Sequence, residues 1–244
     1  RDGGLGDASL SWNSQYGSVV ASLYEGGTAD GMNEAGLVAN LLYLVESEYP
    51  ADDDPRPAIV ISAWAQYVLD QFATVEEAVS ELRKETFRMV TVVAPNGAAE
   101  QIALNKYWQQ IGGTVMLPGT NRAADRFARA SFYINACTQT ANPREAAASV
   151  FSVMRNVSVP RGISTPDQPN ISSTIWRTVS DQKHKIYFYE DTASPGMVWV
   201  DLNQIDFSPG SGTRNLTLVG NYNLSGDQTD QFQPAEPYPF MAPA

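Results

Sequence analysis

Along the chain, strand-like alternation of apolar and polar positions gathers near the two ends, and helical periodicity fills the middle. Residues 16–24 (YGSVVASLY) are rich in β-branched and aromatic side chains and predict a strand. A polar turn is expected over 30–36 (DGMNEAG), where Gly31, Asn33 and Gly36 accept positive φ and Asn33 can close a side-chain turn on its own backbone. Residues 37–45 (LVANLLYLV) are apolar on both faces apart from Asn40 and Tyr43, the pattern of a strand covered on each side. Tyr43 then sits late in a buried strand, where a phenol needs a partner or a pocket.

Beyond an acidic, proline-punctuated loop at 46–58, the spacing predicts a helix over 59–71 with Trp64, Val68 and Leu69 in one stripe. Thr74 and Glu77 have the spacing of a capping box for a second helix carrying Ala78, Val79 and Leu82. Residues 87–94 return as a strand, and 98–110 show a helical pattern with Ile102, Leu104 and Trp108 where another strand is expected. A helix over 122–136 puts Phe127, Ala130 and Ile134 on one face, and Asn142 with Pro143 caps a helix over 144–155. Strands at 172–179, 185–190 and 197–202 form an antiparallel meander. The order implies an α+β layered sandwich, one domain over 1–224, and an extended or disordered arm at 225–244.

Composition narrows the chemistry. A net charge of −11 and a pI near 4.5 disfavour nucleic acid and anionic membranes as partners. No apolar run reaches the length of a membrane span, and no signal peptide stands at the start as given, although Arg1 leaves export open. Cys137 is the single cysteine, which removes an internal disulfide and any cysteine-based zinc site; it ends a predicted helix and reads as a packed thiol. His184 is the single histidine, so a Ser-His-Asp triad would rest on it alone, and its polar turn reads as exposed. Asp52, Asp53 and Asp54 lack the spacing of a calcium loop and read as a solvated surface. Arg122 and Arg126 share a helix face, with Asp125 and Arg129 as a possible i,i+4 pair. Solvated or structural charge is the plainer reading of that cluster. The other is a guanidinium that holds a carboxylate or tunes a nucleophile. The residues alone yield a fold class and no reaction.

Several long collinear blocks add to this. YGSVVASLY, DGMNEAGLVANLLYL, ISAWAQYVLD with FATVEEAV, LPGTNRAADRFARA, ISTPDQPNISSTIWRTVSDQ and MVWVDLN together resemble the penicillin V acylase and conjugated bile acid hydrolase (choloylglycine hydrolase) family, most closely its Gram-negative acylase branch. The likeness runs from residue 1 to about residue 218. It implies an αββα four-layer sandwich of the N-terminal nucleophile hydrolase type. A cysteine freed at the mature N-terminus would attack the amide carbonyl with its own α-amino group as base, needing no histidine, metal or cofactor. By the resemblance, Arg126 matches the active-site arginine that favours the thiolate. Tyr43 matches the position where acylases tend to carry tyrosine, its backbone N–H serving as an oxyanion donor. The nucleophilic cysteine is expected before Arg1, and a segment with central strands and a second oxyanion donor between about residues 97 and 99. The substrate class implied is a small-molecule N-acyl amide: penicillin V, N-acyl homoserine lactones or conjugated bile salts. A homotetramer in the bacterial periplasm, or otherwise in the cytoplasm, is the implied setting. A catalytically inactive relative that binds acyl ligands, or acts only as a structural subunit, is the alternative.

Overall fold

In the computed structural model, which describes residues 1–42, 54–90, 117–166 and 171–241, the first element of substance is a hairpin. Strand β1 (Ser18–Leu23) pairs antiparallel with β2 (Gly27–Asn33), and a bulge falls between Ala21 and Ser22. The three-residue turn between them holds Tyr24 and Glu25 at φ 52° and 51°, a left-handed conformation that glycine usually supplies. β2 includes Asp30, Gly31 and Asn33, so most of the predicted turn is strand; the chain reverses only after Asn33 and returns as β3 (Val38–Asn40), antiparallel to β2. Composition hid this strand, because GTADGMN has few β-branched residues.

Those small residues have a packing reason. All seven positions of β2 are buried, and α1 (Ile61–Gln71) lies against it. A Cβ at Gly31 would stand 2.7 Å from Val20 Cγ1 and 2.9 Å from Leu69 Cδ1, closer than carbon atoms approach. α1 follows directly from β4 (Ala58–Val60), which pairs in parallel with β5 (Arg88–Val90); the predicted helix therefore begins two residues later than its periodicity implies. α2 (Val75–Leu82) carries the predicted capping box: Thr74 Oγ1 accepts from Glu77 N, and Glu77 Oε2 accepts from Thr74 N. Trp12, Ile59, Val60, Tyr67, Val68 and Phe72 belong to the core formed here, with Trp12 edge-on to Tyr67. A second cluster joins Val19 and Met32 to Tyr187, Val200 and Leu202.

By its packing the chain divides into two compact units. The first comprises Arg1–Gly97, Ser180–Phe188 and Val198–Ala244, and the second Ala98–Val179 and Tyr189–Met197. In the second, α3 (Ala123–Ala136) packs with α4 (Pro143–Asn156), whose cap is the predicted one: Asn142 Oδ1 accepts from Arg144 N at 3.0 Å and Pro143 opens the helix. The predicted apolar face of α3 is only partly used, since Phe127 is 53% exposed and Ile134 46%, while Ala128 is buried. β6 (Trp176–Asp181), β7 (Ile186–Asp191), β8 (Val198–Asp201) and β10 (Gly226–Asp227) form one sheet in the order β10-β8-β7-β6. β9 (Thr213–Asn215) pairs antiparallel with β11 (Gln233–Ala235).

The arm expected from residue 225 onward thus carries two short strands, and its end is held by the first unit. Phe240 stacks on Trp12 at 6.2 Å, Met241 N donates to Gly26 O, and the Tyr238 hydroxyl lies 2.8 Å from Thr28 Oγ1. The helix predicted over 98–110 lies outside the described residues.

Candidate active site

The stretch leading to Tyr43 is fixed by two buried polar side chains of β2. Asn33 is fully buried at the mouth of the turn. Its Nδ2 donates to Leu69 O at 2.9 Å and to Phe72 O at 2.7 Å, tying the turn to the end of α1. Its Oδ1 accepts from Ala35 N at 3.1 Å and Leu37 N at 2.9 Å, the side-chain turn its sequence position predicts. Gly36, at φ 94°, completes the reversal in a conformation that other residues rarely adopt. Three residues earlier than Asn33, Asp30 is 7% exposed, and it accepts from the Tyr187 hydroxyl at Oδ1 and from Asn40 Nδ2 at Oδ2. Tyr43 itself lies outside the described residues, as do Asp52, Asp53 and Trp108.

A second polar chain crosses the same unit. Asp70, inside α1 and buried, accepts from Trp12 Nε1 at 2.8 Å and pairs with Arg1 Nε at 2.8 Å. Its other oxygen accepts from Gln66 Nε2 at 2.9 Å, and Gln66 Oε1 accepts from Thr28 Oγ1 at 2.9 Å. The Tyr238 hydroxyl ends this hydrogen-bonded series, its pKa raised chiefly by burial, against the opposing effect of its hydrogen bond with Thr28. Sequence reasoning passed over Asp30, Asp70 and Gln66. The signal for the last two is two polar residues four apart within a mostly apolar helix, which places them on one face, buried here.

In the second unit, Arg126 lies in the first turn of α3, half-buried. Its Nε donates to Val157 O at 2.7 Å, and among the described residues it makes no ion pair with a carboxylate. One edge of the guanidinium is thus held by backbone. The possible Asp125–Arg129 pair does not form. Asp125 accepts from Thr120 Oγ1, and Arg129 Nη1 donates to Pro118 O and Thr120 O at 2.7 and 3.0 Å, clasping the loop before the helix. Backbone carbonyls within reach offered Arg129 a fixed geometry that a flexible surface ion pair lacks.

The other candidates resolve plainly. Cys137 caps the C-terminus of α3, where its N–H donates to Tyr133 O; it is half-buried and a free thiol. His184 sits in the turn between β6 and β7 with Nδ1 2.7 Å from Asp181 Oδ2, and its side chain is exposed. Asp54 is held by Arg56 at 2.6 Å, which brings its pKa down to about 2. Among the described residues no group of three His, Cys, Asp or Glu side chains gathers as a metal site, and no helix is long and apolar enough to cross a membrane.

The chain belongs to the choloylglycine hydrolase family of linear amide C–N hydrolases, whose family model matches residues 14–100 and 91–218. It is 42% identical to the penicillin V acylase of Pectobacterium atrosepticum over an aligned span of 309 residues, covering 98% of this chain and 81% of that protein. The span exceeds the 244 residues of this chain, so the relative has residues with no counterpart here. Among solved structures, the chain superimposes on the penicillin V acylase from Agrobacterium tumefaciens with a TM-score of 0.90 and 50% identity, over 99% of this chain and 88% of that one. A mutant of the conjugated bile acid hydrolase from Clostridium perfringens matches at a TM-score of 0.61 and 18% identity, over 81% of this chain and 80% of that one, a likeness of fold. The α+β fold of the N-terminal nucleophile hydrolases, expected from the sequence, is the fold these structures share with the chain.

Proposed function

We propose that the protein hydrolyses the side-chain amide of penicillin V or of related N-acyl compounds, among them N-acyl homoserine lactones and conjugated bile salts. The nucleophile is a cysteine exposed at the mature N-terminus. Its thiolate attacks the acyl carbonyl, and its α-amino group takes the thiol proton and passes it to the leaving amine as the C–N bond breaks. Water then attacks the resulting thioester, releasing the carboxylic acid and regenerating the thiol. Arg126 is the cation that favours the thiolate, and the backbone N–H of Tyr43 is one donor to the tetrahedral oxyanion. Tyrosine at position 43 tilts preference towards penicillin V. A periplasmic homotetramer is the setting that family likeness favours.

What supports this reading is the identity of 42% and 50% to two penicillin V acylases over almost the whole chain. The test is turnover by the protein as cells produce it, with N-terminal sequencing of the same sample. The expected result is equimolar acid and amine from penicillin V and a cysteine at the first cycle. Binding of penicillin V without product, or a first residue with no thiol, would overturn the reading in favour of an acyl-ligand binder.

Arg126→Gln tests the assigned cation separately. We expect kcat to fall on the order of 10²-fold, the scale of losing one electrostatic contributor. Alkylation of the N-terminal thiol should shift to higher pH, because removing a nearby positive charge raises a thiol pKa. An unchanged alkylation profile would remove Arg126 from that role.

A further inference from the structure

The cross-strand pair at the end of β3 has a role that neither its residue types nor the family match assigns. β3 is three residues long, and its last residue, Asn40, stands directly opposite Asp30 in the register with β2. So short a strand has few ladder bonds to hold its end. Here a side-chain bond is added: Asn40 Nδ2 donates to Asp30 Oδ2, and the hydroxyl of Tyr187, itself 3% exposed, donates to Oδ1. The chain leaves this clamp through Leu41, whose N–H donates to Ala29 O at 2.7 Å.

Asp30 makes no ion pair among the described residues, although it is buried. Burial of a carboxylate with only neutral donors is costly, so a neutral pair would serve mere strand pairing at lower cost. What the carboxylate adds is two charge-assisted bonds that converge from β3 and β7 on one point, a stiffer joint than amide–amide pairing. In sequence, Tyr43 follows Asn40 by three residues.

We propose that Asp30, Asn40 and Tyr187 form a positioning clamp that fixes the exit of β3, the strand that leads in sequence to Tyr43, for the amide-hydrolysis reaction. The proposal rests on the reading of Tyr43 as an oxyanion donor. None of the three is a catalytic residue; they act through the strand they hold. Their effect should fall on the transition state, because a donor displaced by about 1 Å can lose up to ~10²-fold in rate while ground-state binding survives.

The test is a swap. In Asn40→Asp two carboxylates face each other, and the clamp opens. In the double variant D30N/N40D the amide at position 30 can accept from Tyr187 through its oxygen and donate through its nitrogen to the carboxylate at position 40, which restores both bonds, the cross-strand one with its sense reversed. With penicillin V as substrate, N40D should lose roughly tenfold to hundredfold in kcat with KM within about threefold, and D30N/N40D should recover most of it. Amide hydrogen exchange at Leu41 gives a readout that needs no turnover: faster in N40D, restored in the double variant. Exchange at Leu41 unchanged in N40D, or a folded double variant that exchanges as fast as N40D, overturns the clamp whether or not the protein turns over. If exchange follows the swap and kcat does not, the link to the oxyanion site is overturned. A wild type that hydrolyses no N-acyl substrate sinks the parent reading by itself, and with it that link.

Discussion

Asn33 shows how much one side chain can carry. It uses its amide nitrogen and its carbonyl oxygen to hold backbone on two sides: the carbonyls of Leu69 and Phe72 on one, the amides of Ala35 and Leu37 on the other. Replacing it with alanine leaves those groups buried and unpaired, a cost of order 1–3 kcal/mol for each that finds no water. Asn33→Ala should therefore lose on the order of 3–5 kcal/mol in urea unfolding, a large part of the stability of an ordinary domain. A loss below about 1 kcal/mol would mean that the turn holds without it. The residue type and its place beside Gly36 made the turn legible in the sequence. Its bonds to α1 were not, because they join residues 36 and 39 positions apart.

At the scale of elements, the closeness of α1 to β2 depends on glycine. Gly31→Ala would push a methyl group into Val20, Leu69 and the Val19 carbonyl, and overpacking of this kind costs about 1–3 kcal/mol. A fall in thermal midpoint with α1 still helical by circular dichroism is the expected outcome. In the second unit, Glu190 bridges Arg155 at 2.7 Å and Arg177 at 2.9 Å. Burial pushes its pKa up, but the two guanidiniums outweigh burial and hold it below the ordinary 4.5. A carboxylate with a depressed folded pKa contributes stability that is fully present above its unfolded pKa and is lost as pH falls through the folded one. Thermal midpoints followed from about pH 7 to about pH 2 should drop below about pH 4.5, and Glu190→Gln should be less stable at neutral pH with a shallower acid limb. Equal acid limbs would show that other carboxylates dominate. Capping signals made α2 and α4 readable from the chain, since a cap is a contact over three residues. β2 was missed because its small side chains answer to a helix that packs on it, not to strand propensity.

For the whole chain, the first unit is closed by its last described residues. Trp12 is sandwiched between Tyr67, edge-on at 5.3 Å, and Phe240, stacked at 6.2 Å, so segments from the two ends of the described chain meet over one indole. Phe240→Ala should cost about 1–2 kcal/mol, less than a fully buried phenylalanine because the ring is half-buried. The matching observation is a Trp12-sensitive change in intrinsic fluorescence together with an earlier unfolding midpoint; an unchanged midpoint would mean the stacking is incidental. Composition read this region as an extended or disordered arm, since proline and polar residues dominate it. Its order comes from three anchoring contacts at Gly26, Thr28 and Trp12, all distant in sequence.

By itself the sequence determined the family, the mixed helix-and-sheet class, the capped helices and the turn at Asn33, because each of these is written in local spacing or in long collinear blocks. Only the tertiary structure decided that β2 is a buried strand, that Arg129 holds a loop instead of Asp125, and that Asp30 joins Asn40 to Tyr187. The reason is common to them: a partner 10 or 157 positions away, as Asn40 and Tyr187 are from Asp30, leaves no periodic trace in the chain, and its choice is made by which surfaces burial brings together.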